Sequence, residues 1–187
     1  EIFQLNIHNV YPSYVDKFRK MGYNDMDVSE IVQFAIHNID PEYINSFKEA
    51  GIDNISKRDI VQAGIHNVDV GFVKAMQDAG FQDVEMGDLV QFSIHGVSTK
   101  YISDLKAAGL SDLSKGEIVQ AKIHNVKPSY IKEFRDLGMG DLDMGDVVQF
   151  AIHNIRPSFV QEFNAEGFDD LSKAQIVNAG IHNATPE

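Results

Sequence analysis

Histidine recurs in this chain at a fixed interval of 29 residues. The seven histidines are His8, His37, His66, His95, His124, His153 and His182. An interval kept that strictly over 187 residues predicts one structural unit copied in tandem. Tandem arrays of small units usually form extended binding surfaces. The spacing therefore constrains function as well as fold.

The first complete copy reads as two short helices joined by a turn. Pro12 suits the first helical position, because the hydrogen-bond donor that proline lacks would be unpaired there. Gly22 follows a helical pattern of apolar residues and is typical of a residue that ends a helix in the left-handed conformation. Asp27, with Glu30 three residues later, forms a capping-box pattern at the start of the second helix. Asn38, which also tolerates the left-handed conformation, ends that helix. The copy is predicted to be a helical hairpin.

The same signals recur along residues 1–187, which we predict to form a single repeat array. Helices this short do not persist alone in water, so each hairpin must pack on its neighbours. The predicted fold is all-α: an α-solenoid, a right-handed superhelix of about six 29-residue helix-turn-helix repeats. The predicted repeats are 11–39, 40–68, 69–97, 98–126, 127–155 and 156–184, with 1–10 matching only a second helix and 185–187 the start of a further repeat. These ends predict either a fragment of a longer array, belonging to a longer regulatory protein, or an array with atypical ends.

One position of the second helix alternates between a large and a small side chain. The residues are Phe34, Ala63, Phe92, Ala121, Phe150 and Ala179. The position that caps the start of this helix alternates with it, being acidic in the phenylalanine copies and serine in the alanine copies. We interpret the pattern as a repeating pair of hairpins, in which large and small side chains interdigitate.

A polar stripe is predicted along one face of the second helices. A glutamine lies four residues before most of the histidines, which places both side chains on the same helix face. The candidate binding residues are Gln33, His37, Gln62, His66, Gln91, His95, Gln120, His124, Gln149 and His153, with Gln4/His8 and Asn178/His182 as the outermost pairs. A structural role fits this stripe, because a histidine can bond to the last carbonyls of its helix. A groove that contacts a peptide or protein is the alternative interpretation, and both stay open.

The even distribution of polar groups disfavours catalysis and metal binding. A catalytic centre needs one convergent group of residues, and the chain has no GxSxG, GxxxxGK[ST] or GxGxxG motif and no cysteine. Histidines of adjacent hairpins would lie roughly 10 Å apart, whereas zinc ligands lie about 2 Å from the metal. We expect no enzyme activity, no metal site and no cofactor.

Charge and hydropathy restrict the class of partner. The formal net charge of −12 would repel a phosphate backbone, which disfavours nucleic-acid binding. No window approaches the ~18 consecutive apolar residues of a membrane span, so no membrane insertion is expected. The absence of cysteine leaves the compartment open.

The hairpin sequence resembles short bacterial helical repeats, and the match is best in residues 95–125, HGVSTKYISDLKAAGLSDLSKGEIVQAKIHN. Such 29-residue repeats are found appended to antibiotic-sensor membrane peptidases of the BlaR type and to other signalling proteins. The resemblance implies an accessory interaction module without protease activity, because the peptidase domain itself is absent here. The compartment stays unknown, and the bacterial cytoplasm and the periplasm are both compatible with the sequence.

We therefore predict a non-enzymatic scaffold that binds a protein or peptide partner. One alternative is a sensor of pH or of a small ligand or metal, because protonation of the histidines between about pH 5.5 and 7.5 would change the net charge. The other alternative is an architectural spacer between flanking domains.

Overall fold

The computed structural model describes residues 10–186 of the chain. The expectations for the partial repeat at 1–10, for the Gln4/His8 pair and for Glu187 fall wholly or mainly outside the described residues. Within residues 10–186 every regular element is an α-helix of nine residues, and there are twelve of them. They are α1 Pro12–Lys20, α2 Val28–Ile36, α3 Pro41–Glu49, α4 Lys57–Ile65, α5 Val70–Asp78, α6 Met86–Ile94, α7 Thr99–Ala107, α8 Lys115–Ile123, α9 Pro128–Asp136, α10 Met144–Ile152, α11 Pro157–Ala165 and α12 Lys173–Ile181. Each successive pair is one hairpin, numbered 1 to 6.

The chain divides into two compact units, Glu1–Ile94 and His95–Glu187. In the first unit, second helices pack on second helices (α2 with α4, α4 with α6), and α3 packs on α5. The second unit follows the same rule, with α8 on α10, α10 on α12, α7 on α9 and α9 on α11. Packing between equivalent helices of successive hairpins is that of an α-solenoid, so the predicted fold class is confirmed.

The predicted signals at the helix starts are confirmed. Proline is the first residue of α1, α3, α9 and α11. The side chain of Asp40 accepts a hydrogen bond from the backbone N–H of Tyr43 at 2.7 Å, which satisfies one of the unpaired donors at the start of α3. The complete capping box, with both reciprocal bonds, is present at the starts of α2, α8, α10 and α12. At α4, the bond runs from the backbone N–H of Asp59 to the hydroxyl of Ser56.

The predicted left-handed residues are confirmed at both helix ends. Gly22 has φ +95° and Asn38 has φ +53°. After the first helix, the N–H of Tyr23 donates to the carbonyl of Phe18, and the N–H of Gly22 donates to Arg19, which is the bonding pattern of a Schellman motif. The rings of Phe18 and Tyr23 are in edge contact across this turn. These bonds close each helix without help from neighbouring hairpins.

The alternating position of the second helix lies in the core. Phe34 is fully buried, and its ring meets that of Phe18 edge-on with centroids 5.1 Å apart. In the second unit the rings of Phe150 and Phe134 are tilted against each other, with centroids 4.9 Å apart. Ala63 is fully buried as well, so the small residue leaves room that neighbouring side chains occupy.

Two kinds of junction alternate between successive hairpins within the units, according to the first residue of the second helix. At the lysine junctions (hairpins 1 to 2 and 5 to 6), a lysine reaches back to acids of the preceding hairpin. The ammonium of Lys57 lies 2.9 Å from the carboxylate of Glu30 and 3.5 Å from that of Asp25. Lys173 repeats this arrangement, at 2.7 Å from Asp146 and 3.3 Å from Asp141.

At the methionine junctions (hairpins 2 to 3 and 4 to 5), the same helix position is buried and apolar, with Met86 3% and Met144 2% exposed. These junctions also have a polar link on the first helices. The side-chain amide of Gln77 donates to the carbonyl of Ala50 at 2.9 Å. Arg135 donates to the carbonyl of Gly109 at 3.1 Å. The hydroxyl of Ser93 also donates to the carbonyl of His66 at 2.7 Å, so the first methionine junction has polar links on both layers. The buried apolar residue is what distinguishes the methionine junctions.

Candidate functional site

A groove lies between α2 and α4 of the first unit, with a volume of about 280 Å³. We call it the α2–α4 groove; it is lined by Ser29, Glu30, Gln33, Phe34, Lys57, Arg58, Val61 and Gln62. Val61 is its partly exposed apolar contributor, whereas Phe34 lies fully buried beneath it. The ion pair between Lys57 and Glu30 lies within the groove. The groove brings together two residues of the predicted stripe, Gln33 and Gln62.

The predicted glutamines are on the solvent side of the second helices. Gln33, Gln91, Gln120 and Gln149 are exposed, whereas Gln62 is half-buried. Over residues 10–186, the structure gives these side chains no hydrogen bond within the protein. Their amides are therefore free to exchange water for a ligand at little cost.

The predicted histidines lie at the ends of the second helices and are spread along the array. His37 occupies the C-cap position of α2, where its backbone N–H donates to the carbonyl of Gln33. His37, His66, His95, His124 and His153 are half-buried. A Cβ built on Gly64 would lie 3.0 Å from the Cβ of His37, so the next hairpin packs closely against this residue. Among residues 10–186, no three histidine or acidic side chains are grouped so that they could hold a metal ion.

The acids near the stripe are engaged in structural contacts. Glu30 accepts a hydrogen bond from the backbone N–H of Asp27 and also pairs with Lys57. Glu117 accepts from the hydroxyl and the backbone N–H of Ser114, and these bonds lower the pKa of its carboxyl group. This part of the stripe stabilises the helix starts and leaves glutamine and histidine as the available polar groups.

A row of exposed isoleucines runs beside the glutamines, and the sequence reasoning did not identify it. We call it the isoleucine row; its members are Ile36, Ile65 and Ile94 in the first unit and Ile123, Ile152 and Ile181 in the second. Each is between 40% and 49% exposed. Ile36 lies three residues after Gln33, so the two share a helix face. The signal was present, because isoleucine precedes histidine in every copy at a position turned away from the buried residues Ile31 and Phe34.

A tyrosine fixes the connection that follows the row in most hairpins. The hydroxyl of Tyr14 donates to the carbonyl of Ile39 at 2.6 Å, and that of Tyr43 donates to Val68 at 2.6 Å. Burial, with the nearby charge of Asp69, raises the pKa of Tyr43 to about 12. These phenols stay protonated and bonded at neutral pH, which holds the end of the second helix in place.

Comparisons with known proteins found no matching family model, curated protein or solved structure. The resemblance to repeats of BlaR-type proteins therefore stays a prediction. Within residues 10–186, no helix is long and apolar enough to cross a membrane.

Proposed function

We propose that this protein is a non-enzymatic scaffold whose second helices bind a protein or peptide partner. The isoleucine row carries the proposal. Single exposed apolar residues are common on protein surfaces, but here the same large side chain is exposed at the same position in six hairpins. Burial of one such side chain contributes on the order of 1 kcal/mol when about half of it is covered, so several together support a specific interaction.

The glutamines supply the polar half of such a surface. Gln33 and Gln62 carry amides that can both donate to and accept from a peptide backbone. Because they stand beside Ile36 and Ile65 on the same helix faces, one bound segment could meet both kinds of group. Interfaces of this type combine apolar contacts with a few directed hydrogen bonds.

The test is a selection of displayed random peptides against the full chain. Enriched peptides are measured against a row variant, in which Ile36, Ile65 and Ile94 are serine. The matched control replaces three exposed first-helix residues, Lys17, Glu42 and Lys74, by serine. Circular dichroism confirms that both variants fold.

We expect the row variant to lose at least about tenfold in affinity, roughly 1.4 kcal/mol, and the control to stay within about twofold. Failure to enrich any peptide, or equal binding by both variants, would overturn the proposal. An architectural spacer should enrich nothing. A sensor of pH or metal should instead show binding or melting that changes with protonation or with added zinc.

A further inference from the structure

The α2–α4 groove contains a cation that has no partner in the described part of the chain. Arg58 is exposed at the rim of the groove, and in residues 10–186 its guanidinium makes no hydrogen bond or ion pair. Lys57, beside it, is already paired with Glu30 and Asp25. The groove is thus lined by two cations, Lys57 and Arg58, and one anion, Glu30. Its lining is positive in a protein whose formal net charge is −12.

Arg58 distinguishes this groove from the other hairpins. The equivalent positions hold Ser29, Gly87, Gly116, Gly145 and Ala174. The arginine is the second residue of α4, where the helix dipole also favours a negative charge. A planar guanidinium with free donors matches a carboxylate through two parallel hydrogen bonds.

Gln62 and Val61 extend the groove beyond Arg58. Gln62 lies four residues after Arg58, so both face the same side of α4 about 6 Å apart along its axis. An extended peptide rises ~3.3 Å per residue, so two of its residues span that distance. Alternate side chains of an extended segment point the same way. The second side chain would therefore reach the partly exposed apolar side chain of Val61.

We infer that the α2–α4 groove binds an extended peptide segment in which an aspartate or glutamate lies two residues from an aliphatic residue. Arg58 binds the carboxylate, Gln33 and Gln62 bond the peptide backbone, and the partly exposed Val61 receives the aliphatic side chain. This inference rests on the proposed function and gives it a partner of defined chemistry. Charge complementarity at Arg58 sets the preference for the acidic residue.

The experiment is an NMR titration of the full-length isotope-labelled protein with the blocked peptide Ac-Ser-Glu-Ala-Leu-Ser-NH2. The comparison peptide carries glutamine in place of the glutamate. We expect saturable shifts of the side-chain amide signals of Gln33 and Gln62 and of the Arg58 Nε–H. Affinity should fall about tenfold with the glutamine peptide and about tenfold in Arg58→Gln, since each removes a charge-assisted pair.

Two variants make the result specific. Arg58→Lys keeps the charge without the planar fork and should lose less than Arg58→Gln. Lys74→Gln removes an exposed charge from α5 and should leave the affinity unchanged. Equal affinity for the two peptides, equal affinity of Arg58→Gln and the parent, or no shift at Gln62 would overturn the inference. A selected peptide that depends on the isoleucine row but ignores Arg58 would leave the proposed function standing and reject this one.

Discussion

The lysine and methionine junctions join hairpins of the same design with opposite chemistry. At the first lysine junction, Lys57 lies partly exposed and bridges to Glu30 on the second helices. At the next junction, Met86 occupies the same position but is buried, and the polar bridges are those of Gln77 on the first helices and Ser93 on the second helices. The second unit repeats the contrast with Lys173 and Met144.

The contrast shows why a pair of hairpins is the true period. Lys57 of hairpin 2 pairs with Glu30 of hairpin 1, and Lys173 of hairpin 6 pairs with Asp146 of hairpin 5, so neither lysine is explained by one hairpin alone. The methionine junctions also pack their second helices more closely, α4 on α6 and α8 on α10, than the lysine junctions do. Stability should therefore depend on apolar packing at one kind of junction and only weakly on ion pairs at the other.

The strongest test of this contrast is removal of the buried methionine. Met86→Ala should destabilise the protein by about 2–4 kcal/mol, because it removes buried methylene groups and leaves a cavity at a closely packed junction. Urea unfolding followed by circular dichroism measures the loss. Met26→Ala, at a half-buried methionine in hairpin 1, serves as the control and should cost less. Equal losses of stability in the two variants would show that packing at the methionine junction contributes no more than packing around Met26.

The polar bridge on the first helices can be tested at Gly109. This residue has φ +99°, and a Cβ there would lie 2.7 Å from Cζ of Arg135. Gly109→Ala should therefore cost about 2–3 kcal/mol, from the strained backbone together with displacement of the arginine. Gly138→Ala is the matched control, since its φ is +91° but nothing lies within 4 Å of the added Cβ. It should cost about 1–2 kcal/mol, from backbone strain alone. If the two losses are the same, the Arg135 bridge contributes nothing measurable.

Local features of both junction kinds were predictable from the sequence. Helix ends at Gly22 and Asn38 depend on a backbone conformation that few residues adopt, so the residue type indicates the structure. The capping boxes were predictable too, because each joins residues only three positions apart in the chain. Exposure of Ile36 and the bridge from Lys57 to Glu30 depend instead on which face the next hairpin covers. The alternation of lysine and methionine at this position is visible in the sequence. The residues that each side chain contacts are not.

The candidate site was predicted only in part. Its glutamines follow from helical spacing, because Gln33 and His37 are four residues apart. The groove itself forms between two hairpins, so Phe34 and Val61 become its lining only through the packing of α2 on α4. Arg58 has no counterpart in the other copies, and an analysis of shared positions overlooks a residue that occurs once.

A hydrogen bond inside the hairpins, from a first-helix tyrosine to the end of the second helix, provides a reference that should be insensitive to the contrast. Burial raises the pKa of Tyr43 and of Tyr101 to about 12, while an unfolded tyrosine titrates near 10. Because the folded pKa is the higher one, the stabilisation is complete below pH 10 and is lost as pH rises from 10 to 12. Tyr43→Phe should lower the free energy of unfolding by about 1 kcal/mol at neutral pH. It should also reduce the loss of stability above about pH 10, as measured by urea unfolding. Phe72→Tyr tests whether an added hydroxyl creates the same pH dependence; an unchanged alkaline profile in Tyr43→Phe would contradict the assignment.

The smallest effect is expected at the lysine bridge. Lys57→Met gives the lysine junction the residue of its methionine counterpart, and it removes an ion pair that is open to solvent. The hydrogen bond to Glu30 raises the pKa of Lys57, so the folded state holds this proton more tightly and the bridge weakens only as pH rises through that raised value. The urea midpoint should fall slightly at low salt, and the difference should vanish near ~1 M salt, where charges are screened within about 3 Å. A loss as large as that of Met86→Ala, or one that persists at high salt, would mean that both junctions depend on the same packing and that the contrast between them is only one of sequence.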